Sequence, residues 1–210
     1  MSNFLAVDTS SRYLTVVAQK GDKVEKSFIE NCALNHSVVL MDEIEKTLTK
    51  ANLLPQECDF FAAITGPGSF TGIRIGISCI KGFAAASGKR AAGVTSFEML
   101  SYNVNSDCDY LVAIDAAHGN YYVCGYKPSG VCDISPRFLK RAEVEAFKRP
   151  VYGYEDLDFD NYTRLSVEDC LLPAVRFFCE KRGRCGELAA LYCKQSQAEE
   201  ERAARLAAKK

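Results

Sequence analysis

The chain has 210 residues, is 48% hydrophobic, 25% charged and 10% aromatic, and carries a formal net charge of −1. Nearly half apolar with a quarter charged is a globular composition, which excludes an intrinsically disordered chain, and the length suffices for one large domain or two small ones with a real core. The balanced charge argues against a protein that grips nucleic acid on its own, and two histidines, His36 and His118, limit metal and acid–base chemistry from the start.

Phe4-Leu5-Ala6-Val7 is a short apolar run ending on the polar turn cluster Asp8-Thr9-Ser10-Ser11. Tyr13 to Ala18 is rich in β-branched and apolar residues, Gly21-Asp22 punctuates, and Lys23 to Glu30 alternates. The chain therefore opens as two consecutive hairpins. Asn35 is placed to cap a helix running to about Ala51, with Leu40, Ile44, Leu48 and Ala51 at helical spacing and Val38 and Met41 beside them. Asn52 and Pro55 end it. Phe60 to Ile64 reads as a buried strand, Thr65 to Ser69 as a tight turn, and Phe70 to Ala86 as a second helix closed by Gly88. A short strand at Gly93-Val94 and a helix from Ser96 to Asn103 follow.

The pattern then restarts. Tyr110 to Ile114 is a strand, Asp115-Ala116-Ala117-His118-Gly119 a turn, and Tyr121 to Tyr126 the returning strand. Leu5-Ala6-Val7-Asp8 aligns with Val112-Ala113-Ile114-Asp115, and at the same offset Leu14-Thr15-Val16-Val17 meets Tyr121-Tyr122-Val123-Cys124. In each half a buried strand ends in Asp, turns and comes back. Two such turns facing each other would build a cleft between two lobes, whereas an Asp that only forms its turn bonds its own backbone. Further on, Val131 to Leu139 reads as a strand, Arg141 to Lys148 as a short helix and Val151-Tyr152-Gly153 as a short strand. A helix opened by Ser166 runs through Cys179 to Lys181, and Pro173 within it implies either that the first turn starts later or that the helix kinks. The acid-first, base-last order from Glu199 to Lys210 suits a terminal helix.

The densest local signal is Gly66-Pro67-Gly68-Ser69-Phe70-Thr71-Gly72-Ile73-Arg74-Ile75-Gly76. Pro67 presets one φ, Gly66 and Gly68 admit angles other residues avoid, and Ser69 or Thr71 can cap the helix. Amides at such a helix start can bind an anion, but no Walker A lysine follows and no dinucleotide fingerprint is complete. The helix carries two apolar stripes, one through Gly72, Gly76, Cys79 and Phe83 and one through Ile73, Ile77, Ile80 and Ala84. Glycine inside a helix costs about 1 kcal/mol against alanine, so close approach of another backbone is expected at Gly72 and Gly76. Two apolar faces need two surfaces. One is the helix's own sheet; the other is the first helix or a partner subunit.

Ten cysteines occur with no Cys-x-x-Cys pair and no zinc-knuckle spacing. The opening Met-Ser-Asn-Phe runs straight into a strand pattern without a basic n-region or apolar h-region, and no apolar run spans a membrane. A cytoplasmic chain with reduced thiols acting as small buried hydrophobes is expected.

Val7-Asp8-Thr9-Ser10, His36-Ser37 at a helix start, the Gly66 to Gly76 segment, Ile114-Asp115-Ala116 and Gln197-Ala198-Glu199, in that order, closely resemble the bacterial TsaB (YeaZ) family over nearly the whole chain. The resemblance implies an α/β actin-like, ribonuclease-H-like duplicated fold: a first lobe over 1–104, a smaller second lobe over 105–197 and a helical tail over 198–210. It also implies a non-catalytic subunit that pairs with the paralogous transferase TsaD, is joined by a TsaE-type ATPase, homodimerises when alone, and reaches tRNA through the complex. The chemistry served is threonylcarbamoyl transfer to the adenosine beside the anticodon, in tRNAs reading codons that start with A. The partner interface is expected at Leu40, Ile44, Leu48, Gly72, Ile73, Gly76, Ile77 and Ile80. Asp8, Thr9, Ser10, Gly66, Gly68, Ser69 and Asp115 would line a degenerate nucleotide cleft. No cofactor of its own is implied, with ATP or ADP placed, if anywhere, at the TsaD interface. TsaD holds its metal with a His-x-x-x-His pair; Ser96 and Leu100 stand at those positions here, and leucine cannot ligate a metal. Asp115-Ala116-Ala117 departs from the Asp-Ala-Arg common in the family.

Two other readings compete. One is a small actin-like ATPase using Asp8 and Asp115 around Mg-ATP, or a metalloenzyme of the glycoprotease type once attached to this superfamily. The other is direct tRNA binding through Lys181, Arg182, Arg184, Lys209 and Lys210, which the balanced charge makes a solvated face instead.

Overall fold

A computed structural model describes residues 1–181 and 188–193. The expected tail over 198–210, and the basic residues Arg182, Arg184, Lys209 and Lys210, lie outside the described residues. The first half comprises β1 (Phe4–Asp8), β2 (Leu14–Lys20), β3 (Lys23–Ile29), α1 (His36–Ala51), β4 (Phe60–Ile64), α2 (Phe70–Ser87), β5 (Arg90–Val94) and α3 (Ser96–Tyr102). Its sheet has the order β3-β2-β1-β4-β5, with β1–β3 antiparallel and β4 and β5 added in parallel. The second half comprises β6 (Tyr110–Asp115), β7 (Asn120–Tyr126), β8 (Cys132–Lys140), α4 (Arg141–Glu145), β9 (Val151–Gly153), β10 (Tyr162–Arg164) and α5 (Val167–Val175). Its sheet runs β8-β7-β6-β9-β10 with the same directions. The restart seen in the sequence is thus a duplicated topology: β6 repeats β1, and each later strand repeats its counterpart.

Period-2 alternation sorts the core into layers. Phe4 and Ala6 of β1 join Tyr110, Val112 and Ile114 of β6, together with α3 and α5, in one cluster between the sheets. The alternate residues Leu5 and Val7 pack against α1 and α2. On the far side Leu111 and Ala113 meet Val144 of α4 and Phe159. Because β1 and β6 are covered on both faces, each reads as a continuous apolar run.

The caps follow local chemistry. Ser69 Oγ accepts the Gly72 N–H at the start of α2, and Gly88 closes it at φ 63°. Asn52 ends α1 in the same left-handed region. Asn35 precedes α1 but contributes no side-chain cap.

Two expectations change in the second half, and one strand is added. The helix from Arg141 stops at Glu145 rather than Lys148, which sits at φ 51°. β10 carries no apolar pattern; its three residues pair in parallel with β9, and Tyr162 N–H and Arg164 Nε also donate to the Phe159 and Tyr154 carbonyls. The helix after Ser166 is α-helical to Val175 and then widens into a π turn over Arg176–Lys181, just past Pro173, which has no N–H for the regular ladder. Ser166 Oγ donates to the Asp169 carboxylate at 3.1 Å and leaves the backbone uncapped. Among the described residues no helix is long and apolar enough to cross a membrane.

Candidate functional site

Both repeated aspartates form their own turns. Asp8 Oδ1 accepts the Ser10 N–H at 2.8 Å and the Ser10 hydroxyl at 2.6 Å. Asp115 Oδ1 accepts the Ala117 N–H at 3.0 Å. Asp8 is buried, which pushes its carboxyl above the ordinary range while the two Ser10 bonds pull it back part of the way. Asp115 is exposed.

The glycine loop is filled by the first of these turns. Ser69 N–H donates to the Ser10 carbonyl at 2.6 Å, and Thr9 Oγ1 donates to the Gly72 carbonyl at 2.7 Å. A Cβ on Gly68 would overlap the Ser10 carbonyl, and one on Gly72 the Thr9 carbonyl. At Gly76 it would come within 2.5 Å of Thr9 Oγ1. So Asp8, Thr9, Ser10, Gly66, Gly68 and Ser69 do come together, but as a turn docked on a helix start. The Ser69 N–H and the Gly72 N–H that an anion would need are already engaged. Asp115 stands apart, beside a cavity of about 420 Å³ lined also by Arg12, Tyr121, Glu155 and Asp156.

The residues expected at a partner interface face inward. Leu40, Ile44, Leu48, Gly72, Ile73, Gly76, Ile77 and Ile80 are all buried in the chain's own packing, with Leu40 at 2% and Ile44 at 1% exposure. The reason is that the most regular apolar stripe of each helix is the one its own sheet consumes. What α1 and α2 turn outward is the thinner second set. Val38 is 71% and Met41 55% exposed. Cys79 Sγ lies 3.7 Å from Met41 Sδ, with Ile75 and Phe83 only partly covered. A groove of about 520 Å³ continues this face, bordered by Met41, Leu54, Pro55 and Phe83.

Residues 29–157 match the family model for TsaD, tRNA N6-adenosine threonylcarbamoyltransferase, over more than half of the chain. This chain belongs to the TsaD family. Its similar curated relatives are named tRNA threonylcarbamoyladenosine biosynthesis protein TsaB. The Bacillus subtilis protein is 32% identical over 59% of this chain and 54% of its own length. The Escherichia coli protein is 29% identical over the same shares. The chain spans about half the length of the curated relatives it matches. Among solved structures, YeaZ from Pseudomonas aeruginosa shares 21% identity at a TM-score of 0.74, covering 91% of this chain and all of that one. A second Pseudomonas aeruginosa structure, described as similar to peptidase YEAZ, shares 22% at 0.75 over 92% of this chain. They establish the fold as that of YeaZ.

At the positions where TsaD-type metal histidines were expected to correspond, the side chains are structural. Ser96 is buried and its Oγ lies 3.4 Å from Ser10 Oγ, while Leu100 sits in the core between the sheets. His36 is buried, with Nε2 2.9 Å from the Tyr13 carbonyl and Nδ1 3.3 Å from that of Ala33; it ties the start of α1 to β2. His118 lies exposed in the β6–β7 turn at φ 55°. Among the described residues no group of three or more His, Cys, Asp or Glu is arranged to hold a metal ion. Ala117, where the resemblance to TsaB leads to an expected arginine, also has positive φ (62°). An arginine does reach this cleft, from the opposite repeat: Arg12.

Two groups of residues carried no signal in the sequence. Leu188, Leu191 and Tyr192 return to the first lobe. Leu191 N–H donates to the Thr65 carbonyl at 2.8 Å, and Arg74 is held between Phe70 and Tyr192 with Nε 3.0 Å from the tyrosine hydroxyl. Glu155 is the other. Its Oε2 accepts the Asp115 N–H at 2.6 Å, and burial pushes its carboxyl up to about 7.

That shift makes a pH prediction. The unfolded glutamate ionises near 4.5, so between there and about 7 the folded chain binds more protons than the unfolded one. Stability therefore falls as pH rises through that window, by on the order of 2–3 kcal/mol from this group. Glu155→Gln keeps an acceptor for Asp115 and removes the titration. Urea unfolding at about pH 5 and about pH 8 should show the variant gaining on the parent only at the higher pH; an equal gain at both would mean that Glu155 is not ionising there.

Proposed function

We propose that this chain is a non-catalytic scaffold or activator subunit that pairs with a TsaD-type transferase. In this reading it supports threonylcarbamoyl transfer to the adenosine beside the anticodon of tRNAs reading codons that start with A. The observation that carries the pairing is the outward apolar face of α1 and α2, where Val38 and Met41 lie open beside Ile75, Cys79 and Phe83. An exposed apolar patch continuous with a groove is the surface an obligate or near-obligate partner covers. The same face pairs two copies when the transferase is absent. The TsaB names of the relatives supply the pathway.

The buried Ser96 and Leu100, and a glycine loop occupied by the chain's own turn, support the non-catalytic role. The subunit acts in the cytoplasm without a cofactor of its own. A TsaE-type ATPase joins the pair, ATP or ADP belongs at the transferase interface, and the transferase makes most of the contact with tRNA. The test is reconstitution with a TsaD-type transferase. The mass of the complex should be that of a heterodimer, and the transferase should modify tRNA only when this chain is added. Asp8-dependent ATP hydrolysis by the isolated chain, with no effect on the transferase, would favour the ATPase reading instead.

A further inference from the structure

Cys124 on β7 and Cys132 at the start of β8 bring their sulfurs to 3.6 Å. The β7–β8 ladder pairs Tyr126 with Cys132 and Gly125 with Ile134, and its register shifts on either side of Gly125. Cys124 therefore lies diagonally across the irregularity from Cys132. Both thiols donate to one acceptor, the Ile134 carbonyl, at 3.3 and 3.4 Å. The turn between them is closed by Lys127 N–H to the Val131 carbonyl at 2.9 Å and by Gly130 N–H to the Lys127 carbonyl at 2.8 Å. The two sulfurs differ in one respect that matters: Cys132 is exposed and Cys124 is buried. Three other described cysteines are engaged elsewhere, Cys58 with the Leu54 carbonyl, Cys79 with Met41 and Cys170 with the Ser166 carbonyl, while Cys193 packs against the same core cluster as Cys124.

We propose that Cys124 and Cys132 are a modification site, a dithiol that a low-molecular-weight disulfide of the glutathione type converts reversibly into an intrachain disulfide. The exposed Cys132 loses its proton and attacks one sulfur of the small disulfide. The S–S bond breaks, and the departing thiolate takes up a proton. Cys124 then gives up its proton and attacks the Cys132 sulfur of the mixed disulfide, forming the protein S–S bond and releasing the second small thiol. Two protein thiols lose two electrons and one small disulfide gains them. The 3.6 Å between the sulfurs has to close to the bonded distance of about 2.05 Å. Burial pushes the Cys124 thiol up to about 12, which leaves first attack to Cys132.

The bond would sit on the wall of a cavity. Both cysteines line a cavity of about 710 Å³ with Glu98, Tyr102 and Phe178, and the 127–131 turn forms part of its rim. Oxidation pins that turn to β7.

The full-length chain, incubated in graded mixtures of reduced and oxidised glutathione, is quenched by alkylation and digested with chymotrypsin. Cleavage after Tyr126 separates the two cysteines, so a bridge appears as a linked peptide pair. The expected result is a mass loss of about 2 Da, a Cys124–Cys132 pair forming before any other, and Cys132 alkylation slowed about tenfold or more in the oxidised native chain. Cys132→Ser, at an exposed position, should abolish the pair; Cys124→Ala should stop at a glutathione adduct on Cys132. A stable adduct on Cys132 in the parent chain, or a bridge that forms as readily from Cys124 to Cys193, would overturn the assignment.

Discussion

Gly72→Ala is expected to destabilise the protein by about 3 kcal/mol or more, lowering Tm by roughly 6–12 °C for a chain of this size. The added methyl would overlap the Thr9 carbonyl. That oxygen belongs to a turn held by three contacts at once: Ser10 on the Asp8 carboxylate, Ser69 N–H on the Ser10 carbonyl, and Thr9 Oγ1 on the Gly72 carbonyl. The turn cannot retreat without breaking them. Gly82, on the same helix, has nothing within 4 Å of its Cβ position. Gly82→Ala should therefore stabilise by roughly 0.5–1 kcal/mol, since it only removes the helical glycine penalty. Thermal or urea unfolding of the pair reads the contrast directly. Equal effects at both sites would show that the docked turn does not constrain Gly72.

Met41→Asp is expected to weaken pairing with a TsaD-type transferase about 100-fold while leaving the isolated chain folded. Met41 is exposed and touches Cys79 across the gap between α1 and α2. An aspartate there is solvated in the free chain and stranded once a partner covers it. Ile77→Asp makes the opposite case. Ile77 is buried against the first sheet, so an acid there unfolds the chain and says nothing about partners. Titration calorimetry, with a circular dichroism melt of each variant, separates the two effects. Undiminished binding by a folded Met41→Asp protein would move the contact away from this face.

The helices show why helical spacing finds α1 and α2 but not which of their faces stays open. Leu40, Ile44 and Leu48, or Ile73, Ile77 and Ile80, stand out because helical spacing marks a stripe that must be covered. Spacing does not say what covers it. Each helix spends its strongest stripe on its own sheet, so the face left for a partner is the weaker one, with Val38 and Met41 on α1 and Cys79 and Phe83 on α2. The cysteines divide in the same way. Cys32, Cys58, Cys124, Cys170 and Cys179 are buried as expected, but Cys108 and Cys132 are exposed.

Local and repeated chemistry was determined by the sequence alone. The Asp-ended strands, the glycine-rich helix start with a hydroxyl to cap it, the stops at Asn52 and Gly88, and the duplication itself depend on residues a few positions apart or on a pattern that recurs. The tertiary structure decided what long-range contact decides. Only the packed chain shows that Gly72 makes room for the Thr9 backbone and Gly76 for the Thr9 side chain, and that the glycine loop is filled from within. The same holds for Leu191 returning to Thr65 and for Glu155 meeting the Asp115 amide. Those partners are separated by tens to more than a hundred residues, and no spacing rule reaches that far; burial and hydrogen-bond satisfaction, which exist only once the chain has folded, select them.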